Sequence, residues 1–266
     1  MPVAVIMGAR QTGKSTLVRS HATFGKYLYV TLDTADIRAQ AKTDPRDLLH
    51  RAPRMVLDEI QRAPDLVIAL KELIDQQAHE RNRTAGQFVL TGSANLLTMR
   101  RVNESLAGRA TYITLWPMTR REQLGHASAG IWSDLFDTPV DRWYDLVLAS
   151  TAPAADWRAH VRLGGYPTPA LELSTPAQRS IWFQGYVDTY LDRDIRDIAD
   201  ISSTLDLRRL MRIASHRVGQ LVNRSAWALE AGVAATTAHR YLDLLEQSYQ
   251  LIRIEAFSAN RTKRLI

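Results

Sequence analysis

Gly8-Ala9-Arg10-Gln11-Thr12-Gly13-Lys14-Ser15 carries the pattern G-x-x-x-x-G-K-S close to residue 1. Before it runs Val3-Ala4-Val5-Ile6-Met7, a short apolar stretch of the kind that fills a strand buried on both faces. After it, Thr16-Leu17-Val18-Arg19-Ser20 can continue as a helix. A strand, a glycine-containing turn and a helix in that order make a phosphate-binding loop. Gly8 and Gly13 let the backbone take positive φ and approach phosphate oxygens without a Cβ in the way. The backbone from Gly8 to Thr16, with Ala9, Arg10, Gln11 and Thr12 between the glycines, is expected to cradle the phosphates, helped by the positive end of the helix dipole. Lys14 would reach the β- and γ-phosphates, and the Ser15 hydroxyl would ligate Mg2+.

Met55-Val56-Leu57-Asp58-Glu59 supplies the second half of such a site, an apolar strand ending in two acids. Asp58 is expected to orient Mg2+, and Glu59 to act as the general base on the attacking water. Gln61 and Arg62 follow directly and either position the γ-phosphate or lie on the surface. The next strand, Gln87-Phe88-Val89-Leu90-Thr91, runs into Gly92-Ser93-Ala94-Asn95. Thr91, Ser93 and Asn95 can each donate a hydrogen bond to the γ-phosphate, and Ser93 is the favoured sensor; a turn capping the following helix is the alternative. That helix spans 94–107 and stops at Gly108. Arg109, just beyond it and ahead of strand Thr111-Tyr112-Ile113-Thr114-Leu115, is a candidate arginine finger, acting within the chain or across a subunit boundary. A helix-end arginine bonded to carbonyls is the competing reading.

Between these motifs, Lys26–Leu32 reads as a strand, 34–52 as helix restarting at Asp44-Pro45, and 65–80 as an amphipathic helix. Repeated strand–helix units imply an α/β fold, a P-loop NTPase parallel sheet with helices on both faces. Trp116-Pro117 closes this unit, giving an ATPase core over 1–117. A helical lid or linker region follows over 118–203, with helices near 141–148 and 175–200 around the compact turn Leu163-Gly164-Gly165-Tyr166-Pro167. The second of these helices points Ile181, Trp182, Tyr186, Tyr190, Leu191 and Ile195 toward a core. Its Arg193 and Arg196, set among acids, read as a solvated face or as groups reaching a nucleotide from a lid. Residues 204–266 read as a winged helix-turn-helix: helices Leu205–His216, Ser225–Ala231 and Thr236–Gln247, then a strand-like Leu251-Ile252-Arg253-Ile254. Thr236, Thr237, His239 and Arg240 would start its recognition helix, serving DNA contact or packing.

Composition narrows the field. The 266 residues are 45% hydrophobic and 23% charged, as in ordinary globular proteins. No stretch approaches the apolar length of a membrane span, and the N-terminus has no signal-peptide pattern, so no membrane partner is expected. The absence of cysteine removes disulfides and thiolate metal sites and fits a reducing, cytoplasmic location. A net charge of +6 allows nucleic-acid contact without requiring it.

Taken together, the boxes at Gly8–Ser15, Leu57–Arg62, Leu90–Asn95, Ser105–Arg109, Gly164–Pro167 and Tyr190-Leu191-x-Arg193-Asp194 resemble a widespread prokaryotic family of AAA-type ATPases. The resemblance is close to the signal-transducing branch with a Gly-Gly-Tyr-Pro box and covers essentially the whole chain. It implies adenine over guanine; no guanine-reading N-K-x-D box follows the fourth strand. Family members usually continue past Asn260-x-x-Lys263-Arg264 into a nuclease-like domain of unknown function, so no nuclease activity is expected of the residues here.

The expected function is Mg2+-dependent binding and hydrolysis of ATP by a switch or motor, with a homo-oligomer or protein partner open. Two other classes remain: a nucleotide-gated DNA-binding regulator with slow hydrolysis, and a small-molecule phosphotransferase. Salt-dependent DNA binding lost on changing Arg240 or Lys263 would mark the first. The second lacks a visible acceptor-binding motif.

Overall fold

The computed structural model describes residues 1–80, 84–93, 105–126, 130–149, 156–190, 195, 201 and 203–255. Five short runs of β-branched and aliphatic residues pair into one sheet: β1 (Val3–Met7), β2 (Leu28–Thr31), β3 (Met55–Asp58), β4 (Phe88–Gly92) and β5 (Ala110–Thr114). Their order is β2-β3-β4-β1-β5, and every pairing is parallel, with Val5 opposite both Leu90 and Tyr112. The expected parallel sheet is therefore present. β2 starts two residues later than its apolar pattern suggests, because the Tyr27 N–H turns back to the Phe24 carbonyl and pairing begins at Leu28 with Arg54.

The period-2 alternation of each strand sorts its side chains onto two packed faces. Val3, Val5, Met7, Met55, Leu57, Phe88 and Leu90 meet α2 (Ala35–Thr43), α3 (Pro45–His50) and α4 (Leu66–His79) in the larger core. Ile6, Val56 and Val89 face the other way, against Leu17 and Val18 of α1 (Lys14–Ser20) and Phe24, Tyr27 and Tyr29. The helix start read at Asp44-Pro45 is present: the Asp44 carboxylate accepts from the Asp47 N–H, and Pro45 occupies the first turn of α3.

After the sheet the described chain is helical: α5 (Arg120–Gln123), α6 (Ile131–Asp137), α7 (Trp143–Ala149), α8 (Trp157–Leu163), α9 (Pro176–Thr189), α10 (Thr204–His216), α11 (Arg224–Ala231) and α12 (Ala235–Gln247). The last three agree with the sequence to within a residue, and Gly232 closes α11 in the left-handed conformation that a short helix-to-helix turn needs. Two expectations are corrected here. Residues 251–255 carry no strand, so among the described residues the unit is three helices without the wing read from Leu251–Ile254. Ile181 is 74% exposed instead of pointing inward, because Trp182 and Tyr186 take the buried side of α9.

Tyr186 and Tyr190 pack into the same apolar cluster as Leu207, Leu210, Trp227, Tyr241 and Leu245, so one core runs across residue 203. Tyr190 shares a 2.6 Å hydrogen bond with Ser248, and both the Tyr166 hydroxyl and the Gln250 amide bond the Tyr186 hydroxyl at 3.0 Å. The Gly-Gly-Tyr-Pro box joins this core to the sheet. The Met118 N–H donates to the Gly165 carbonyl at 2.6 Å, and the Gln123 amide donates to Gly164 at 2.8 Å. A side chain on Gly165 would stand 2.7 Å from the Met118 carbonyl oxygen, too close for any Cβ. The Pro167 ring lies 3.8 Å from where a Cβ on Gly13 would stand, so the box reaches the phosphate loop itself.

Candidate nucleotide site

The glycine-containing turn leaves the end of β1 with Gly8 at φ 149, Gln11 at φ 61 and Gly13 at φ 94. Gly8 is required twice over. Its conformation is one that L side chains rarely adopt, and an added Cβ would run into the Leu115 carbonyl oxygen. Leu115 is fixed there by its N–H bond to the Met7 carbonyl at 2.7 Å. Lys14 folds back into the loop, with its ammonium donating to the Gly8 carbonyl at 3.0 Å and the Ala9 carbonyl at 2.6 Å. The side chain is almost wholly buried. Thr12 donates to the same Ala9 carbonyl at 2.9 Å, while Gln11 and Thr16 are exposed and Arg10 is half-buried.

Asp58 ends β3 beside this loop and is 3% exposed. Its Oδ1 accepts from the Ser15 hydroxyl at 3.0 Å and from the Thr91 hydroxyl, and its Oδ2 accepts from the Tyr29 hydroxyl. Three hydroxyls from three elements thus hold one carboxylate. Ser15 and Asp58 offer hard oxygen donors side by side, the donor chemistry that Mg2+ takes from protein alongside phosphate and water. Burial pushes the Tyr29 phenol well above the usual tyrosine range, with the Asp58 hydrogen bond and charge adding to it, so Tyr29 stays a donor. Sequence reasoning missed Tyr29. A tyrosine in a strand reads as core, and only the register that sets Thr31 opposite Asp58 brings it near the carboxylate.

Glu59 follows in the left-handed conformation (φ 60, ψ 45), unusual for a residue with a side chain, and its N–H donates to Thr91 Oγ1 at 3.2 Å. Thr91 is therefore fully engaged, donating to Asp58 and accepting from Glu59. The Glu59 carboxylate accepts from the Gln61 amide, which also donates to the Ser93 hydroxyl at 3.0 Å. Burial raises the Glu59 carboxyl above its ordinary value; the Gln61 hydrogen bond works against that rise, and the Asp58 charge adds to it. Ser93 thus sits beside Glu59, while Asn95, the third sensor candidate, lies outside the described residues. Arg62 turns away to Asp33 at 2.5 Å.

Arg109 does not join this cluster. Its carbonyl accepts from the Val3 N–H at 3.2 Å, which places it at the start of β1, whereas the phosphate loop leaves that strand's far end. The separation is the length of five strand residues, about 16 Å, beyond the reach of one arginine. On this ground Arg109 does not reach the loop of its own chain, and its Nη1 donates to the Ala107 carbonyl at 2.9 Å, the helix-end contact of the competing reading. The guanidinium is paired with Asp75 on α4. Arg193 and Arg196 lie outside the described residues.

Residues 1–124 match the family model described as an AAA domain, and residues 154–266 match a domain of unknown function, DUF8612. The uncharacterized proteins Mb2031c of Mycobacterium bovis and Rv2008c of Mycobacterium tuberculosis are each 28% identical over 266 residues, 99% of this chain and 52% of theirs. The chain thus spans about half the length of the curated relatives it matches. AMPPCP-bound DnaA from Aquifex aeolicus is a solved structure similar to it, with TM-score 0.34 and 14% identity over 93% of this chain and 82% of that one. A RuvB variant from Thermotoga maritima gives 0.36 and 19% over 96% and 82%. Those structural scores carry no argument, and the likeness of residues 1–124 to an AAA domain rests on the family match.

Proposed function

We propose that the AAA domain hydrolyses ATP with Mg2+ and that the chain uses the cycle as a switch or motor on a macromolecular partner. The observation that carries this reading is the bond between the Ser15 hydroxyl and Asp58, which joins the two motifs across 43 residues with Lys14 and Glu59 beside them. In the proposed reaction the Lys14 ammonium moves from the Gly8 and Ala9 carbonyls onto the phosphates. Ser15 and Asp58 would hold Mg2+, which would offset charge developing on the β- and γ-phosphate oxygens. Glu59 takes the proton of the attacking water, and Ser93 donates to the γ-phosphate. Arg109 would serve the nucleotide of a neighbouring copy in an oligomer. The preference for adenine rests on the family resemblance.

The test is ATP turnover and ATP binding by the wild type, Glu59→Gln and Lys14→Ala. Both variants are expected to lose turnover by at least about 100-fold, with Glu59→Gln still binding ATP. Turnover retained in Glu59→Gln would remove the base assignment, and a wild type that binds without turning over would remove the ATPase.

A second reading, a nucleotide-gated DNA-binding regulator, draws on the trihelical unit, where Thr236, His239 and Arg240 at the start of α12 are exposed. Salt-dependent duplex binding that falls in Arg240→Ala would favour it. Unchanged binding in that variant would count against it.

A further inference from the structure

We propose that Gln61 is a positioning residue that ties γ-phosphate recognition by Ser93 to the base Glu59, and that its side-chain carbonyl orients the attacking water. The proposal rests on the ATPase reading above and gives Gln61 a role toward the water and Glu59, beyond the γ-phosphate contact or surface place read from its sequence position.

The backbone creates the arrangement. Glu59 takes the left-handed conformation and a single 3-10 turn, Ile60–Arg62, follows it, closed by the Arg62 N–H on the Glu59 carbonyl at 3.0 Å. Ile60 is fully buried and anchors the turn in the sheet's main core. Two residues on, Gln61 is thereby folded back over the Glu59 side chain. A helix continuing straight from the strand would carry it away.

The amide then has only one sensible orientation. A carboxylate accepts and does not donate, so the edge of Gln61 facing Glu59 is the NH2 group. That group's two hydrogens are used, one on Glu59 Oε2 and one on Ser93 Oγ. The carbonyl is buried and has no hydrogen-bond partner among the described residues. Such an acceptor is unfavourable unless a donor visits it. The attacking water has two protons to place. Glu59 takes one, and the Gln61 carbonyl beside it can accept the other, which fixes the direction of the oxygen lone pair.

Ser93 completes the link. Its Oγ is 3.5 Å from Glu59 Oε2, too far for a strong bond, while it accepts from Gln61 at 3.0 Å. The Ser93 O–H can therefore turn to donate a hydrogen bond to a γ-phosphate oxygen without breaking the Gln61 contact. Engaging the γ-phosphate displaces Ser93, and the shared amide transmits the displacement to Glu59. A diphosphate offers Ser93 no such partner.

The experiment measures steady-state turnover and equilibrium binding of ATP and ADP on the full chain. The proteins are wild type, Glu59→Gln, Gln61→Ala, Ser93→Ala and the Gln61→Ala/Ser93→Ala double variant. Gln61→Ala is expected to lower kcat on the order of 100-fold, with ATP affinity within about threefold of wild type. The double variant is expected to be little slower than Gln61→Ala alone, because the two side chains act through one amide. A kcat within about twofold of wild type in Gln61→Ala, or losses in the double variant that simply multiply, would overturn the proposal. Should Gln61→Ala fail to fold, Gln61→Met keeps the bulk without the amide and carries the same expectations. A wild type without turnover, or Glu59→Gln at full rate, would instead sink the ATPase reading and this proposal with it.

Discussion

Arg109 and Asp75 meet in a two-point ion pair, Nε to Oδ1 at 2.7 Å and Nη2 to Oδ2 at 2.8 Å, at the end of the sheet remote from the phosphate loop. The pair is partly exposed, so Arg109→Ala is expected to cost only about 1 kcal/mol of stability in urea unfolding. Turnover per chain should match wild type at dilutions where copies are apart. It should fall below wild type only where association raises the wild-type rate. A loss that is independent of concentration would contradict the placement of Arg109.

The same pair sets a pH dependence. The Arg109 hydrogen bond holds the Asp75 carboxyl below its ordinary value of 3.8, with burial opposing it. A carboxylate depressed in the folded state stabilises fully above the unfolded value, and the contribution fades as pH falls through the folded one. The stability gap between wild type and Asp75→Asn should therefore be constant above about pH 5 and close in more acidic solution. Urea midpoints across that range are the check, and a gap that widens on acidification would reverse the assignment.

Gly8 and Gly108 both have positive φ, yet their substitutions should differ. A Cβ on Gly108 meets nothing within 4 Å, so Gly108→Ala carries only the backbone penalty of about 1 kcal/mol. Gly8→Ala adds a collision with the Leu115 carbonyl and is expected to cost at least about twice as much, together with nucleotide binding. Equal unfolding midpoints for the two variants would show that the strand end yields.

Tyr29→Phe removes one of the three hydroxyls on Asp58 while keeping the ring that Arg19 covers at 5.2 Å. Outer partners of metal-holding groups typically change metal affinity about 10-fold or more. The Mg2+ concentration giving half-maximal turnover should rise by about that factor, with Mg2+-free ATP binding unchanged. No shift in the Mg2+ midpoint would show that Ser15 and Thr91 suffice to hold the carboxylate.

The sheet was legible because its signals are local. Each buried strand is a continuous apolar run, and the glycine pattern at 8–15 fixes strand, turn and helix together. Asp58 was readable as the last residue of such a run, and the bond from Ser15 followed from two motifs meeting. Tyr29, Thr91 and Gln61 were hidden or undecided for a different reason. Their contacts depend on which residue lies opposite which across neighbouring strands, and on a left-handed Glu59 that no residue preference announces. Arg109 was singled out by its position in the chain, but the end of the sheet it occupies follows from strand direction, a property of the assembled fold. Ile181 failed because α9 carries apolar residues all round, so periodicity could not choose its buried side.

The cluster that Tyr186 and Tyr190 share with α10, α11 and α12 makes the boundary near residue 203 a poor place to cut the chain. A fragment ending there would display two aromatic rings stripped of their neighbours, and its complement would lack the side chains that seal it. The helical part is tied to the sheet as well, by the backbone bond from Met118 to Gly165 and by Tyr249, whose ring packs edge-on against Trp116 and joins the sheet's main core. Limited proteolysis should therefore yield no pair of independently resistant halves.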